Sequence, residues 1–245
     1  MLTGYCMDVL GVRCELQLLS PCQLQEHPFL EDIISLVNNA YVMHFQGLIP
    51  GLGAIRVKQT ADLVNELTPS GVCCAMFALR GAEADAKDMH VEKWPVAAAN
   101  IKPYSPVFEH FPVGSHISTN TDMGGRLEGQ SGLEGIQLDW EVTAVAVRQD
   151  KCYVGRGFAA ACIAELERYI YSKAASAIRK LPPSEIGCME LLPQMTIWAR
   201  TIQEINGSYW TAKGYKEHTV YRCPKGLMGA VDDFHLTCLV KQFRF

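Results

Sequence analysis

Apolar residues along the chain follow two rhythms, and each rhythm predicts an element. Phe29, Ile33, Leu36, Val37, Ala40 and Tyr41 recur three and four apart, which puts them on one stripe of a helix near 28–44, with Pro28 at its first position. A loop carrying Gly47, Pro50, Gly51 and Gly53 follows. A shorter helix near 59–67 comes next, ended by Pro69, Ser70 and Gly71. Continuous or alternating apolar runs predict strands near 13–19, 72–79, 95–103 and 140–147, the last rich in β-branched residues. A turn at 148–154 leads into a helix near 157–173, with Phe158, Cys162 and Leu166 facing in. A strand near 196–200, a helix near 203–213 stopped by Gly214, and strands at 218–223 and 234–240 complete the pattern. Strands and helices in this order predict a mixed sheet flanked by helices, of the α/β (α+β) class, in a single domain spanning 1–245.

Two stretches lack either rhythm. Residues 83–93 are a charged run, expected as a solvated loop. Residues 104–138 hold Pro106, His110, Pro112, His116 and five glycines from Gly124 to Gly135. A loop of that length is uncommon inside a compact domain and often serves as a lid or binding segment. It reads as a long insertion before the fourth core strand, either a surface insertion or a substrate-shaping one.

Composition narrows the class. With 49% hydrophobic and 20% charged residues, the chain is expected to fold rather than stay disordered. A formal charge of −4 gives no basic patch for nucleic acid. The longest apolar run, at 72–79, is far short of the roughly 20 residues a membrane span needs. Asp8 and Arg13 interrupt the first apolar stretch, so it does not read as a secretory leader. The ten cysteines lack any Cys-x-x-Cys or cysteine–histidine spacing. They are expected as reduced, mostly buried thiols in an intracellular, cytoplasmic protein with no metal.

Chemistry concentrates at one strand–turn–helix unit, Val154-Gly155-Arg156-Gly157-Phe158-Ala159. Two glycines permit a tight turn and close approach of a ligand to the backbone. The N–H groups and positive end of the following helix suit a pyrophosphate, and Arg156 could add a charged contact. The segment is neither a Walker loop nor a full dinucleotide fingerprint, and a tight turn without a ligand would use the same glycines.

This unit resembles the central motif of the GNAT superfamily of acyl-CoA-dependent N-acyltransferases, a strand, then Gln/Arg-x-x-Gly-x-Gly/Ala, then a helix. Val154 stands where the family has Gln or Arg. The resemblance implies that backbone N–H groups from Val154 to Ala159 hold the phosphates of acetyl-CoA. It also implies that the strand at Val145 and Val147 binds the pantetheine arm. A second motif matches at Asn206-Gly-Ser-Tyr209-Trp210-Thr-Ala-Lys-Gly214-Tyr215. Asn206 is similar to the residue that holds the coenzyme near its pantetheine arm. Trp210 occupies the place of the family's usual Tyr, the general acid. A Trp cannot protonate a thiolate, and adjacent Tyr209 could do so only where the helix is rotated or bulged. The two motifs cover about 140–215.

Period-two spacing puts Glu141, Thr143, Val145 and Val147 on one face of their strand. Glu141 stands five residues before Ala146, the register at which several GNAT enzymes are similar in carrying a catalytic Glu. It reads as a general base, and equally as a strand-end carboxylate in solvent or paired with Arg or Lys. Tyr41, His44 and Phe45 end the first helix, where the family often builds its acceptor pocket; Tyr41 and Phe45 also read as core packing. Trp140 and Trp198 read as core. Cys152 has no basic partner in sequence, so direct transfer is expected rather than an acyl-enzyme. The resemblance implies an acetyl-CoA-dependent N-acetyltransferase, a monomer or homodimer acting on a small-molecule amine. The alternative keeps the fold and repurposes it as an acyl-CoA sensor or as a catalyst of another reaction.

Overall fold

Leu10 and Gly11, with φ of 49° and 82°, reverse the chain between β1 (Thr3–Val9) and β2 (Val12–Leu19). A two-residue turn with both central φ positive matches the twist of a hairpin, and Asp8 Oδ1 accepts the Gly11 N–H at 2.8 Å. β1 was not expected from the sequence. Its residues Gly4, Tyr5 and Cys6 are exposed, so no buried face marks it. The computed structural model describes residues 3–50, 56–81, 91–105, 115–119, 135–182 and 193–245.

Packing divides the chain into two compact units, Met1–Lys102 with Thr143–Leu166 and Pro103–Val142 with Glu167–Phe245. Strand β6 (Asp139–Val147) and helix α4 (Phe158–Ile178) each contribute to both.

In the first unit the strands run in the order β1, β2, β3 (Val72–Arg80), β4 (Glu92–Pro103) and the second half of β6. β1 to β4 pair antiparallel. The charged run at 83–93 therefore ends in strand, because Glu92 and Lys93 pair with Arg80 and Leu79 of β3, and the Lys93 side chain reaches Glu15 of β2 at 2.8 Å; residues 82–90 lie outside the described residues. Helices α1 (Pro21–Gln25), α2 (Leu30–Phe45) and α3 (Thr60–Glu66) cover one sheet face. Leu24, Ile33, Val37, Ala40 and Leu63 close on Cys73, Ala75, Phe77, Ala98, Ala144 and Ala146, and the facing alanines let the helices sit close.

Helix α2 starts at Leu30, two residues later than its periodicity suggests. Ahead of it, the His27 ring stacks on Phe77, its Nε2 facing Gln17 Oε1 at 3.0 Å, while Nδ1 accepts the Phe29 N–H at 3.3 Å. The imidazole is therefore neutral, with Nε2 as donor. Burial first, and Lys93 second, hold its pKa below the usual 6.5, against an opposing effect of Glu15. The folded chain thus binds fewer protons at His27 than the unfolded chain. This contribution to stability is complete above pH 6.5 and is lost as the pH falls from there through the lowered value. Urea unfolding between pH 7.5 and pH 5 should show a His27 slope no steeper than about 1.4 kcal/mol per pH unit, absent in His27→Gln.

In the second unit β6 runs parallel to β7 (Gln194–Ile202) through Asp139–Val142 alone. β9 (Phe234–Arg244), β8 (Lys216–Cys223) and β5 (Ser115–Thr119) follow, all antiparallel. β5 lies inside 104–138, so that segment is not structureless throughout, although 106–114 and 120–134 lie outside the described residues. The second half of α4 packs on this unit through Glu167, which accepts the Tyr215 hydroxyl at 2.9 Å and pairs with Lys241 at 2.6 Å. The expected mixed sheet with flanking helices is the observed architecture. The nine described cysteines are free thiols, five of them buried, and burial pushes the Cys14 thiol up to about 11. No described helix is long and apolar enough to cross a membrane.

Candidate functional site

The turn of the first unit is built from its hydrogen bonds. The N–H groups of Tyr153 and Val154 donate to the Asp150 carbonyl at 2.9 and 3.1 Å, and Arg156 N–H donates to Tyr153 at 3.3 Å. Gly155 and Gly157 then take φ of 71° and 88°, which other residues adopt only with strain. Ala161 N–H closes the first turn of the 21-residue α4 on the Gly157 carbonyl at 2.9 Å. The N–H groups of Phe158, Ala159 and Ala160 have no carbonyl partner within the helix. A Cβ built on Gly155 or Gly157 meets no atom within 4 Å. The glycines thus serve the backbone path, and the space above them admits a ligand.

The side chains at this turn divide by role. Phe158 is fully buried, edge-on to Tyr153 at 5.4 Å, so only its N–H could meet a coenzyme. Val154 is exposed. The Arg156 guanidinium donates to the Leu10 carbonyl at 3.3 Å, toward the β1–β2 turn, with its remaining donors available to an anion. Cys152 is exposed.

Arg148 N–H donates to Val96 on β4 at 2.8 Å. By alternation the N–H groups of Val145 and Val147 point away from β4, beyond the four residues of β6 that pair with β7. Ala144, at φ 48°, lies just past those four and interrupts the pleat. The single face drawn through Glu141, Thr143, Val145 and Val147 by period-two spacing is therefore broken at residue 144.

Tyr41 and Phe45 pack ring to ring at 5.3 Å, and the Arg56 guanidinium lies 5.6 Å above Tyr41 while binding Glu66. Burial pushes the Tyr41 phenol up, against the effect of Arg56. His44 is exposed. Residues 51–55, beyond this helix end, lie outside the described residues.

In the second unit Glu141 is buried at 5% exposure, and Arg200 Nη1 stands 3.3 Å from its Oε1. The carboxylate is thus paired with an arginine. Met195, Ile197 and Ala199 face the core of β7 at 0% exposure, so Trp198 and Arg200 share the opposite, half-buried face. Arg200 also donates to the Ser105 carbonyl at 2.9 Å and lies 5.4 Å over Tyr104, which stacks on Trp198 at 4.4 Å. Cys238, opposite Arg200 on β9, joins the cluster; burial pushes its thiol up, Arg200 opposing and Glu141 adding. Trp140, by contrast, is core, with its indole N–H on the Gln137 carbonyl at 3.2 Å.

Sequence reasoning missed Tyr104 and Arg200. The period-two step from Trp198 to Arg200 was visible, but only the β6–β7 register, Glu141 beside Trp198, brings these residues to the carboxylate.

Beyond β7, Gln203–Gly207 forms a π turn before the short helix α5 (Ser208–Ala212). The segment expected as one helix over 203–213 is thus a π turn followed by a short α-helix. Asn206 lies within that turn, half-buried. Trp210 is buried at 6%, edge-on to Tyr215 at 4.9 Å and to the half-buried Tyr209 at 5.5 Å. Its ring therefore packs in the protein; Tyr209 beside it is half-buried, with its hydroxyl shielded from solvent. No group of three or more metal-ligating side chains occurs among the described residues.

No protein-family model matches the chain, and no curated protein matches it in sequence. Among solved structures it is similar to the ribosomal-protein-alanine N-acetyltransferase from Brucella melitensis, at 14% identity over 93% of this chain and 99% of that one, with a TM-score of 0.48. It is also similar to an N-acetyltransferase from Staphylococcus aureus Mu50 (10% identity, 93% and 96% covered, TM-score 0.41). A third is Arabidopsis thaliana NAA60 in complex with acetyl-CoA (10% identity, 94% and 98% covered, TM-score 0.40).

Proposed function

We propose that the chain binds acetyl-CoA at the 154–159 turn and transfers the acetyl group directly to an amine, probing a small-molecule acceptor first. One observation carries this reading. Two left-handed glycines open onto free space at the N-terminus of a long helix, where backbone N–H groups and the helix dipole favour a pyrophosphate. The residues present fit the coenzyme there, because its phosphates need donors and room, and the turn offers both. Val145 and Val147 supply edge N–H and C=O groups for the pantetheine arm.

The coenzyme supplies the acyl group as an activated thioester. Along β6, Glu141 takes the proton of the amine as its nitrogen bonds to the acyl carbon. The Val145 N–H is the donor for the oxyanion that develops there, the kind of preorganised contact that contributes most to such catalysis. The carbon–sulfur bond then breaks, and the thiolate takes up a proton from solvent as Glu141 gives its own up. Arg200 keeps the Glu141 charge compensated before the amine arrives.

Thermal unfolding tests the coenzyme site. Acetyl-CoA at 100 times its dissociation constant should add about 2.7 kcal/mol, which for a chain of this size is about 5–10 °C in Tm. CoA should act similarly and ATP little. A shift equal with ATP, or none with acetyl-CoA, would sink the reading.

A further inference from the structure

Strand β1 ends the sheet of the first unit. It is hydrogen-bonded to β2 on one side, and no described strand pairs with its other side. The two-residue turn at Leu10 and Gly11 fixes which of its groups face outward. In such a hairpin the residues flanking the turn, Val9 and Val12, exchange hydrogen bonds, and so does every second pair after them. Thr3, Tyr5, Met7 and Val9 therefore bond to β2. The N–H and C=O groups of Gly4, Cys6 and Asp8 point away from the sheet, and all three residues are exposed.

Edge strands usually carry something that prevents pairing: a lysine, a proline, a bulge or a covering segment. β1 has no lysine, arginine or proline, and its register with β2 runs without a bulge from Thr3 to Val9. Its one charged side chain, Asp8, turns back to the Gly11 N–H of its own hairpin at 2.8 Å. The backbone edge is thus open along its length.

The edge is also complementary to itself. Two antiparallel β1 strands related by a two-fold axis at Cys6 set Cys6 against the partner's Cys6 and Gly4 against the partner's Asp8. Every outward N–H and C=O then meets an outward group, which a slip of two residues either way does not achieve within Thr3–Val9. Glycine leaves room beside Asp8, and no like charges oppose. Tyr5 lies on the face shared with α4, where its hydroxyl donates to Glu165 at 3.2 Å. In this register Tyr5 stands opposite the partner's Met7, and a thioether against a ring covers part of a tyrosine that is 41% exposed.

We infer that β1 is a self-association edge, through which two copies of this chain pair antiparallel about Cys6 and continue the sheet of the first unit from one copy into the other. A second copy is the partner that fits, because glycine against aspartate and tyrosine against methionine both come from this one strand. A two-fold contact of this kind closes on itself and gives a dimer rather than a fibre. The inference is independent of the acyl-transfer reading.

Sedimentation velocity of the full chain, with a thiol reductant present, should show the mass rising toward that of two chains between micromolar and millimolar concentration. Over the same range, hydrogen exchange at the Gly4, Cys6 and Asp8 amides should slow by about tenfold, while the Tyr5 and Met7 amides, already bonded to β2, change little. Cys6→Pro removes an N–H that β2 does not use, so the hairpin is kept and the dimer is lost. Cys6→Lys and Cys6→Asp should each be monomeric, because the axis sets like charges against each other, and an equimolar mixture of the two should dimerise. These two variants cover the case in which the proline variant fails to fold. A single-chain mass throughout, or a dimer that survives Cys6→Pro and Cys6→Lys, overturns the inference. Protection of the same amides by an added extended peptide, in a chain that stays monomeric, would assign the edge to another protein and also overturn it.

Discussion

Glu141→Gln lowers acetyl transfer to any accepted amine by about 10²–10⁴-fold, the range that a positioned general base contributes. The Tm increment with acetyl-CoA stays the same, because the amide changes no group of the 154–159 turn. Gln keeps the shape of Glu and can still accept from Arg200, which lies 3.3 Å from Glu141 and is only 14% exposed. The guanidinium loses its counter-charge, so Tm of the free variant should fall, and activity is compared at a temperature at which both chains stay folded. Free thiol released from acetyl-CoA with a panel of amines is the readout. Activity within threefold of the unaltered chain would remove Glu141 as base, and its pairing with Arg200 would then be structural.

Lys241→Met should destabilise the chain by about 2–4 kcal/mol, or some 5–15 °C in Tm. Lys241 Nζ lies 2.6 Å from Glu167, whose side chain is 10% exposed, and the Tyr215 hydroxyl donates to the other carboxylate oxygen at 2.9 Å. Removing the ammonium leaves a buried carboxylate with one neutral donor. Lys241 is itself 26% exposed, which keeps the expected cost toward the lower part of the buried-pair range. The Tyr215 phenol stays protonated as that donor, since burial and then Glu167 push its pKa far up. The double variant Glu167→Gln/Lys241→Met should recover much of the loss, because no buried charge remains. Additive losses in that cycle would mean that the Lys241 stem, which covers Tyr215 and Phe243, matters more than its charge.

How much was legible in sequence depends on the distance over which each feature is decided. The stripe from Ile33 to Ala40 and the apolar runs of β3, β4 and β6 are local, and their periods alone predict α2 and the central strands. The glycine pair at 155 and 157 is local too, since positive φ is a property of those residues and of the turn they sit in. β1 escaped because it carries no alternating buried face, and it exists through its partner β2; β5 likewise exists through its pairing with β8.

Residue order by itself thus determined the α/β class, the strand–turn–helix unit and the candidacy of Glu141, all written in spacing over a few residues. Tertiary structure decided what surrounds that carboxylate. A parallel register set Trp198 beside Glu141, and the step to Arg200 placed a guanidinium against it. Tyr104, nearly a hundred residues earlier in the chain, closed over both. Ala144 broke the face that period-two spacing had extended to Val145. Register, pairing and strand irregularity depend on contacts between segments far apart in sequence, and those contacts form only when the chain folds.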